Sequence, residues 1–431
     1  MERALRACAV LLLLGAASAS AAIRTHRIAR TSRPPKIDGA LDDPCWREAL
    51  AIEGFALLGL GTKTAAVPPT RAMLAYGADA LYVAYRCGEP LSDRLLLAAT
   101  GHDGKTWADD CVELFFNPSG DRQHYVQIVV NAAGVVMDAS YDGPSRGMDL
   151  AYESGAEAAT RVGKGTWSVE VRIPFAGLPL TRPSGAWVFH LARTRARAGQ
   201  HLTMLRTPAA GFHEIAKFDR LEGIELPERP VTVDEVSLGE RFLGENIARA
   251  RLKNWGRQTA QVVATVGFVG AEERLEKRIA LAGGQERAVE LPWTLDAAAA
   301  DRRIVLEARL GERVLRRAVA AVGEPPKVLG AIGRNAWFIW PDAFVRLELP
   351  VRIAEGSRRD AQLRWEARTV GGTRVGGGLT TVRGPTVVVR LYWPRWRPGR
   401  YTLRFELARG DRVLASADHT VLLVESPTGD D

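Results

Sequence analysis

The sequence predicts an all-β protein built from three β-sandwich domains. Three observations carry this. Short apolar, β-branched and aromatic runs recur along the whole chain, each bounded by Asn, Gly, Pro or Asp, and almost no stretch has a long helical period. Two Pro-rich breaks, Pro227-Glu-Arg-Pro230 and Glu324-Pro-Pro-Lys327, divide the chain into units of sandwich size. Its 431 residues also exceed what one ordinary core organises.

In chain order, residues 1–22 read as an export signal. Arg3 and Arg6 precede the apolar Ala9-Val-Leu-Leu-Leu-Leu-Gly15, and the small residues Ala16 to Ala22 follow, with cleavage expected near Ala21 or Ala22. The apolar run is too short for a permanent span and no later run is long enough, so a periplasmic or extracellular protein without a membrane span is expected. In the first domain, 23–228, the Asp38-Gly39 turn leads to Asp42-Asp43-Pro44, which starts one helical turn. Strands are expected at Arg71 to Tyr76, Leu81 to Arg86, Val112 to Phe116, Tyr125 to Val130, Val135 to Ala139, Trp167 to Pro174 and Trp187 to Arg193. The second domain, 229–325, has runs at Ile247 to Lys253, Gln261 to Val269, Glu286 to Leu291 and Ile304 to Leu310. The third, 326–431, has them at Phe344 to Ile353, Gln362 to Thr369, Pro385 to Leu391, Tyr401 to Leu407 and Arg412 to Ala417, before an acidic tail from Ser426. About seven strands in about 100 residues suit an immunoglobulin-like sandwich for each of the last two.

Composition narrows the partners. The formal charge of +8 comes from 58 Lys and Arg against 50 Asp and Glu, scattered along strand-like runs. No basic tract with interleaved aromatics is present, which argues against nucleic acid. Removing the signal leaves Cys45, Cys87 and Cys111. Either Cys87 and Cys111 join across neighbouring strands, as an oxidising compartment allows, or all three are buried thiols packing as small hydrophobes. The sequence leaves both open.

The functional signal sits in Thr106-Trp-Ala-Asp-Asp-Cys-Val-Glu-Leu-Phe-Phe-Asn-Pro118 and His124-Tyr-Val-Gln-Ile-Val-Val-Asn-Ala-Ala-Gly134. Strand alternation places Gln127, Val129 and Asn131 on one face and Ile128 and Val130 on the other. One face then gathers amides and Glu113 beside Trp107. A pyranose asks for this combination, since it offers hydroxyls at its rim and C–H groups on its faces. Each residue also has a structural alternative: Trp107 capping the sheet edge, Glu113 pairing with an arginine, Gln127 and Asn131 satisfying loop backbone.

Residues 35–226 resemble carbohydrate-binding module family 9, within the DOMON-like sugar- and haem-binding sandwiches. The likeness rests on Ile37-Asp-Gly-x-Leu-Asp-x-x-x-Trp46, Leu81-Tyr-Val, Trp107-x-x-Asp-x-Val-Glu-Leu-Phe115, Gln127-x-x-x-Asn131, Trp167-x-Val-Glu-Val-x-Ile173 and Lys217-Phe218, in that order. The resemblance implies a non-catalytic domain that clamps a sugar between two aromatic side chains. It assigns Trp107 and Phe212 to the clamp and Glu113, Gln127 and Asn131 to the sugar hydroxyls. This sequence departs from the pattern at Val129, where sugar-binding members carry an arginine, and at Phe212, where they carry a tryptophan. Trp46, Trp167 and Trp187 are expected in the core.

Other chemistries have thinner support. Some family members hold calcium in oxygen-rich loops, and Asp38, Asp42, Asp43 and the pair Asp109 and Asp110 are the acidic clusters on offer. A haem-binding, electron-transfer protein is the alternative within the same fold group, with Met137 and His190 as axial candidates. The signature motifs of zincins, α/β-hydrolases and P-loop NTPases are missing, so no enzyme is predicted. The region of Asn254-Trp-Gly256 resembles cell-adhesion-type immunoglobulin-like modules, which frames a structural or adhesive alternative. Trp337, Trp340, Trp393 and Trp396 are then either a contact surface for other surface or carbohydrate-active proteins, or core.

Overall fold

The computed structural model describes residues 23–60, 67–143, 147–205, 209–296, 302–322, 327–331, 337–340, 344–392 and 396–425. The expected signal and its cleavage point, residues 324–326 of the second break, Trp393, the tail from Ser426, and the side chains of Trp337 and Trp340 lie outside them.

Three β-sandwiches follow one another, as the run pattern predicts, each around its own apolar core. The larger sheet of the first runs in the order Thr25–Arg27, Asp219–Glu225, Ser184–Arg195, Cys111–Asn117, His124–Asn131, Val136–Asp142, Met148–Asp149, and Gln200–Thr203 pairs with Ser184–Arg195 off this path. The facing sheet runs Glu157–Gly163, Thr166–Pro174, Ala80–Gly88, Thr70–Tyr76, Leu50–Ile52. Apolar alternation explains the layering. Val112, Leu114 and Phe116, with Val126, Ile128 and Val130, turn inward against Val83, Tyr85, Val169 and Val171 of the other sheet. Trp167 and Trp187 join that core, as expected.

Trp46 is buried too, and its place has a polar reason. Its Nε1 donates to Glu170 Oε1 at 2.7 Å, while Glu170 Oε2 accepts the N–H groups of Asp38 and Gly39 at 3.0 and 2.8 Å. The Asp38-Gly39 turn and the Cys45–Glu48 helical turn are thereby fastened to one fully buried carboxylate. Gly39 sits at φ +78° with backbone too close for a Cβ, so the turn requires glycine. A second buried carboxylate, Glu89, ties the two sheets together. It accepts Arg193 Nη2 at 2.8 Å and Arg195 Nε and Nη2 at 2.7 Å each, joining the end of Ala80–Gly88 to Ser184–Arg195 of the other sheet.

The cysteines resolve to the thiol alternative. Cys45, Cys87 and Cys111 are buried and free. Cys87 lies in the core between the sheets, whereas Cys111 faces outward from the larger sheet beside Val129 and Met137. The two cysteine strands follow one another in sequence but belong to opposite sheets, which removes the cross-strand pairing. Burial pushes the Cys87 thiol up to about 11.

The second sandwich sets a three-stranded sheet, Val231–Ser237, Gly244–Asn254, Glu286–Leu295, against a four-stranded one, Leu275–Leu281, Ala260–Phe268, Arg303–Leu310, Arg313–Ala321. This is an immunoglobulin-like arrangement of seven strands. The third sets a two-stranded sheet, Phe344–Pro350 and Thr386–Tyr392, against one that runs Arg412–Glu425, Gly399–Arg409, Ala361–Thr369, Arg374–Thr381, with Trp337–Trp340 added in parallel to Arg412–Glu425. Trp396 is core there, its ring 4.8 Å from that of Tyr401. Polar seams join the units. Arg317 donates its N–H to Ala176 O at 2.7 Å and Arg313 pairs with Asp79 at 2.9 Å between the first and second. Arg249 grips Glu355 with two bonds of 2.9 and 3.0 Å between the second and third.

Candidate functional site

The outward face of the larger sheet carries the site residues. Cys111, Glu113 and Phe115 alternate with the core residues of their strand, and Tyr125, Gln127, Val129 and Asn131 do the same on the next. In register Glu113 lies opposite Val129, so Gln127 reaches it diagonally. Gln127 Nε2 donates to Glu113 Oε2 at 2.9 Å, and from the other flank Thr194 Oγ donates to Glu113 Oε1 at 3.3 Å. Thr194 also lies 3.2 Å from His201 Nδ1. Glu113 is 4% exposed, and that burial, opposed by the bonds from Gln127 and Thr194, raises its carboxyl to about 7.

Trp107 stands at the head of the same strand, in the short 3-10 turn Thr106–Ala108, with 42% of its surface exposed. The turn is pinned from below. Asp109, wholly buried, accepts the N–H groups of Ala98 and Ala99 at 2.8 and 3.0 Å and Asn131 Nδ2 at 2.9 Å. Asn131 Oδ1 accepts the N–H groups of Ala133 and Val135 at 3.1 and 2.9 Å. Asn131 therefore serves loop backbone and the base of the Trp107 turn, and its amide does not meet Glu113 or Gln127.

Phe212 is brought to the other flank. Its ring lies 5.8 Å from both His190 and His201, and it is 8% exposed. The structure thus joins Glu113 with Gln127, links them through Thr194 and His201 to Phe212, and leaves Trp107 open at the strand head. Thr194, His201, Tyr125 and His213 complete this face and escaped the sequence reading. Tyr125 OH lies 2.8 Å from His213 Nδ1, and its ring stacks at 4.9 Å on Tyr141. Alternation along Val136–Asp142 could have revealed Tyr141; nothing local points to His201.

Val129 is fully buried among Cys111, Met137 and Ala139, forming an apolar floor where an arginine head group would lack water. The proposed haem ligands do not converge. Met137 and His190 lie on strands with two others between them, about 14 Å apart at the usual strand spacing. His190 is instead enclosed by Phe115, Phe212 and Phe218, and burial lowers it to about 3, keeping it neutral. The acidic clusters are engaged as well. Asp43 Oδ2 accepts Lys36 N–H at 3.0 Å, Asp38 Oδ1 accepts Ala40 N–H at 3.0 Å, and Asp110 Oδ2 accepts Leu96 N–H at 2.7 Å.

Residues 37–201 match the family model described as carbohydrate family 9 binding domain-like, so the first sandwich is a domain of that kind. Among solved structures, the chain is similar to a Bacteroides uniformis protein provisionally described as carbohydrate-binding (15% identity, 46% of this chain and 99% of that one, TM-score 0.39). It is also similar to a carbohydrate-binding module family 9 from Caldicellulosiruptor kristjanssonii, in complex with cellotriose (17% identity, 46% and 93%, TM-score 0.34) and with glucose (18%, 46% and 94%, TM-score 0.33). A search of curated proteins finds no match. Among the described residues, no helix is long and apolar enough to cross a membrane.

Proposed function

We propose that the chain is an exported, non-catalytic carbohydrate-binding protein. The first domain, 23–228, holds the glycan, and the sandwiches at 229–325 and 326–431 act as spacers or as docking sites for other surface or carbohydrate-active proteins, in the periplasm or outside the cell. The observation that carries this reading is the exposed indole of Trp107 at the head of the strand whose outer face bears the Glu113–Gln127 pair. The indole offers a flat face to sugar C–H groups, and Glu113 and Gln127 offer acceptors for hydroxyls.

Within this reading the five residues divide the work. Trp107 meets the ligand, and Glu113 and Gln127 are the polar groups of the same face assigned to its hydroxyls. Asn131 sets the Trp107 turn through Asp109, and Phe212 walls the far flank from its seat on His190 and His201. The apolar floor at Val129 removes a donor, so one sugar unit is held by few polar contacts and binding is weak. A glycan array probed with the full-length protein tests the proposal. It expects a defined set of glycans that the Trp107→Ala protein no longer retains; a folded wild-type protein that retains none of them contradicts it.

A further inference from the structure

A second cluster of chemistry lies away from the sugar face, at the seam between the first two sandwiches. His102 comes from the loop before the Trp107 turn, Asp138 from the strand Val136–Asp142, and Glu153 from the segment entering Glu157–Gly163. Their ligand atoms all lie within 4.8 Å of one another. His102 Nε2 is 3.2 Å from Glu153 Oε2 and 3.9 Å from Asp138 Oδ1, and Asp103 Oδ2 lies 3.7 Å from the same nitrogen.

Asp138 is the telling residue. Its side chain is fully buried, and its two oxygens are treated differently. Oδ2 accepts both the N–H and the hydroxyl of Ser154, whereas Oδ1 has no hydrogen-bond partner and faces His102 and Glu153. A buried carboxylate oxygen without a donor is costly unless a cation completes it. Glu153 is oriented in the same manner, since Arg303 of the second sandwich takes Oε1 at 3.3 Å and leaves Oε2 to the cluster. Fixing one oxygen from outside while the other points inward is how outer partners orient metal ligands.

We propose that His102, Asp138 and Glu153 form a Zn²⁺ site, with Asp103 or water completing the coordination. The donor set decides the ion. An imidazole nitrogen beside carboxylates suits zinc and its neighbours in the first transition row better than calcium, which takes oxygen. Zinc bonds of about 2.0–2.1 Å place tetrahedral donors about 3.4 Å apart, so the His102–Glu153 spacing is already close and Asp138 has only a short way to move. Charge agrees. Among the described residues, the ion pairs of Asp103, Asp138 and Glu153 run to His102 and Arg303, and a dication would offset the remaining negative charge. Glu153, Ser154 and Arg303 also line a cavity of about 750 Å³, and His102 is exposed, so the cluster is open to solvent. The site is independent of the sugar face, and because Glu153 also holds Arg303, metal binding would stiffen the seam.

Calorimetric titration of the untagged full-length protein with ZnCl2 tests this, alongside His102→Gln and Asp138→Asn. His102 is exposed enough for its variant to fold, which circular dichroism checks, so that variant decides the matter. The expectation is one zinc equivalent in the wild-type protein and affinity at least about tenfold weaker in His102→Gln. Co²⁺ should give a visible absorption band that the same variant loses. Equal zinc affinity in the wild-type protein and His102→Gln would overturn the proposal. So would the absence of zinc binding to the wild-type protein, which would make the cluster a plain ion-pair network.

Discussion

Gln127 and Glu113 satisfy each other on the outer sheet face through one 2.9 Å bond, with 3% and 4% of their surfaces exposed. The pair is thus both the polar centre of the candidate site and a buried ionisable contact, and the two roles have measurable consequences.

The first is pH dependence. Burial raises Glu113 to about 7, above its unfolded value of 4.5, so the folded state holds the proton more tightly than the unfolded one. Stability is then greatest below the unfolded value and falls as pH rises from about 4.5 to about 7, by on the order of 3 kcal/mol. Glu113→Gln should flatten that slope in urea melts taken across this range. Sugar binding should move the opposite way, strengthening from pH 6 towards about 8, because an ionised acceptor makes the stronger bond to a hydroxyl. A wild-type slope unchanged in the variant would contradict the assignment.

Asn131 is expected to act by positioning. Asn131→Ala removes the bond to Asp109 and the two it accepts from the following turn, and leaves Asp109 short of a donor. A loss of about 2–3 kcal/mol is expected in the unfolding of the first domain, with weaker glycan binding. Trp107 fluorescence should report the displaced turn. Weakened binding with an undisturbed turn and unchanged stability would instead give Asn131 direct contact with the ligand.

Glu89 is the ionic lock of the first sandwich. Burial alone would raise its carboxyl, but the bonds from Arg195, the Leu91 N–H and Arg193 prevail and lower it. Its contribution is therefore present above the unfolded value and is lost as pH falls below the ordinary glutamate range. Glu89→Gln takes from the buried Arg193 and Arg195 the carboxylate that bonds them both, and should cost about 3–5 kcal/mol at pH 7 by thermal or urea unfolding. A change below about 1 kcal/mol would mean that water reaches these arginines.

The fold was legible where the strands are apolar and alternate. Cys111–Asn117 and His124–Asn131 announce themselves, and strict alternation places Gln127 and Asn131 on the outward face. Glu157–Gly163 was missed because an edge strand with a half-exposed pattern lacks an apolar signature, and Asp219–Glu225 because charge and Gly223 interrupt it. The Cys87–Cys111 idea failed because order along the chain is not order within a sheet. The site divides in the same way. The Trp107 to Glu113 spacing is local and could be read, whereas Thr194 reaches Glu113, 81 residues away, only through strand pairing, and His201 joins them through Thr194. The zinc cluster draws on three segments and Ser154, and no spacing marks it.

The central claim is that the exposed indole of Trp107 is a sugar platform, and calorimetric titration of a glycan retained on the array, into the wild-type protein and Trp107→Ala, tests it most directly. With the side chain 42% exposed, the substitution should leave the unfolding midpoint nearly unchanged while weakening binding by at least about tenfold. Equal affinity in the two proteins would contradict the account.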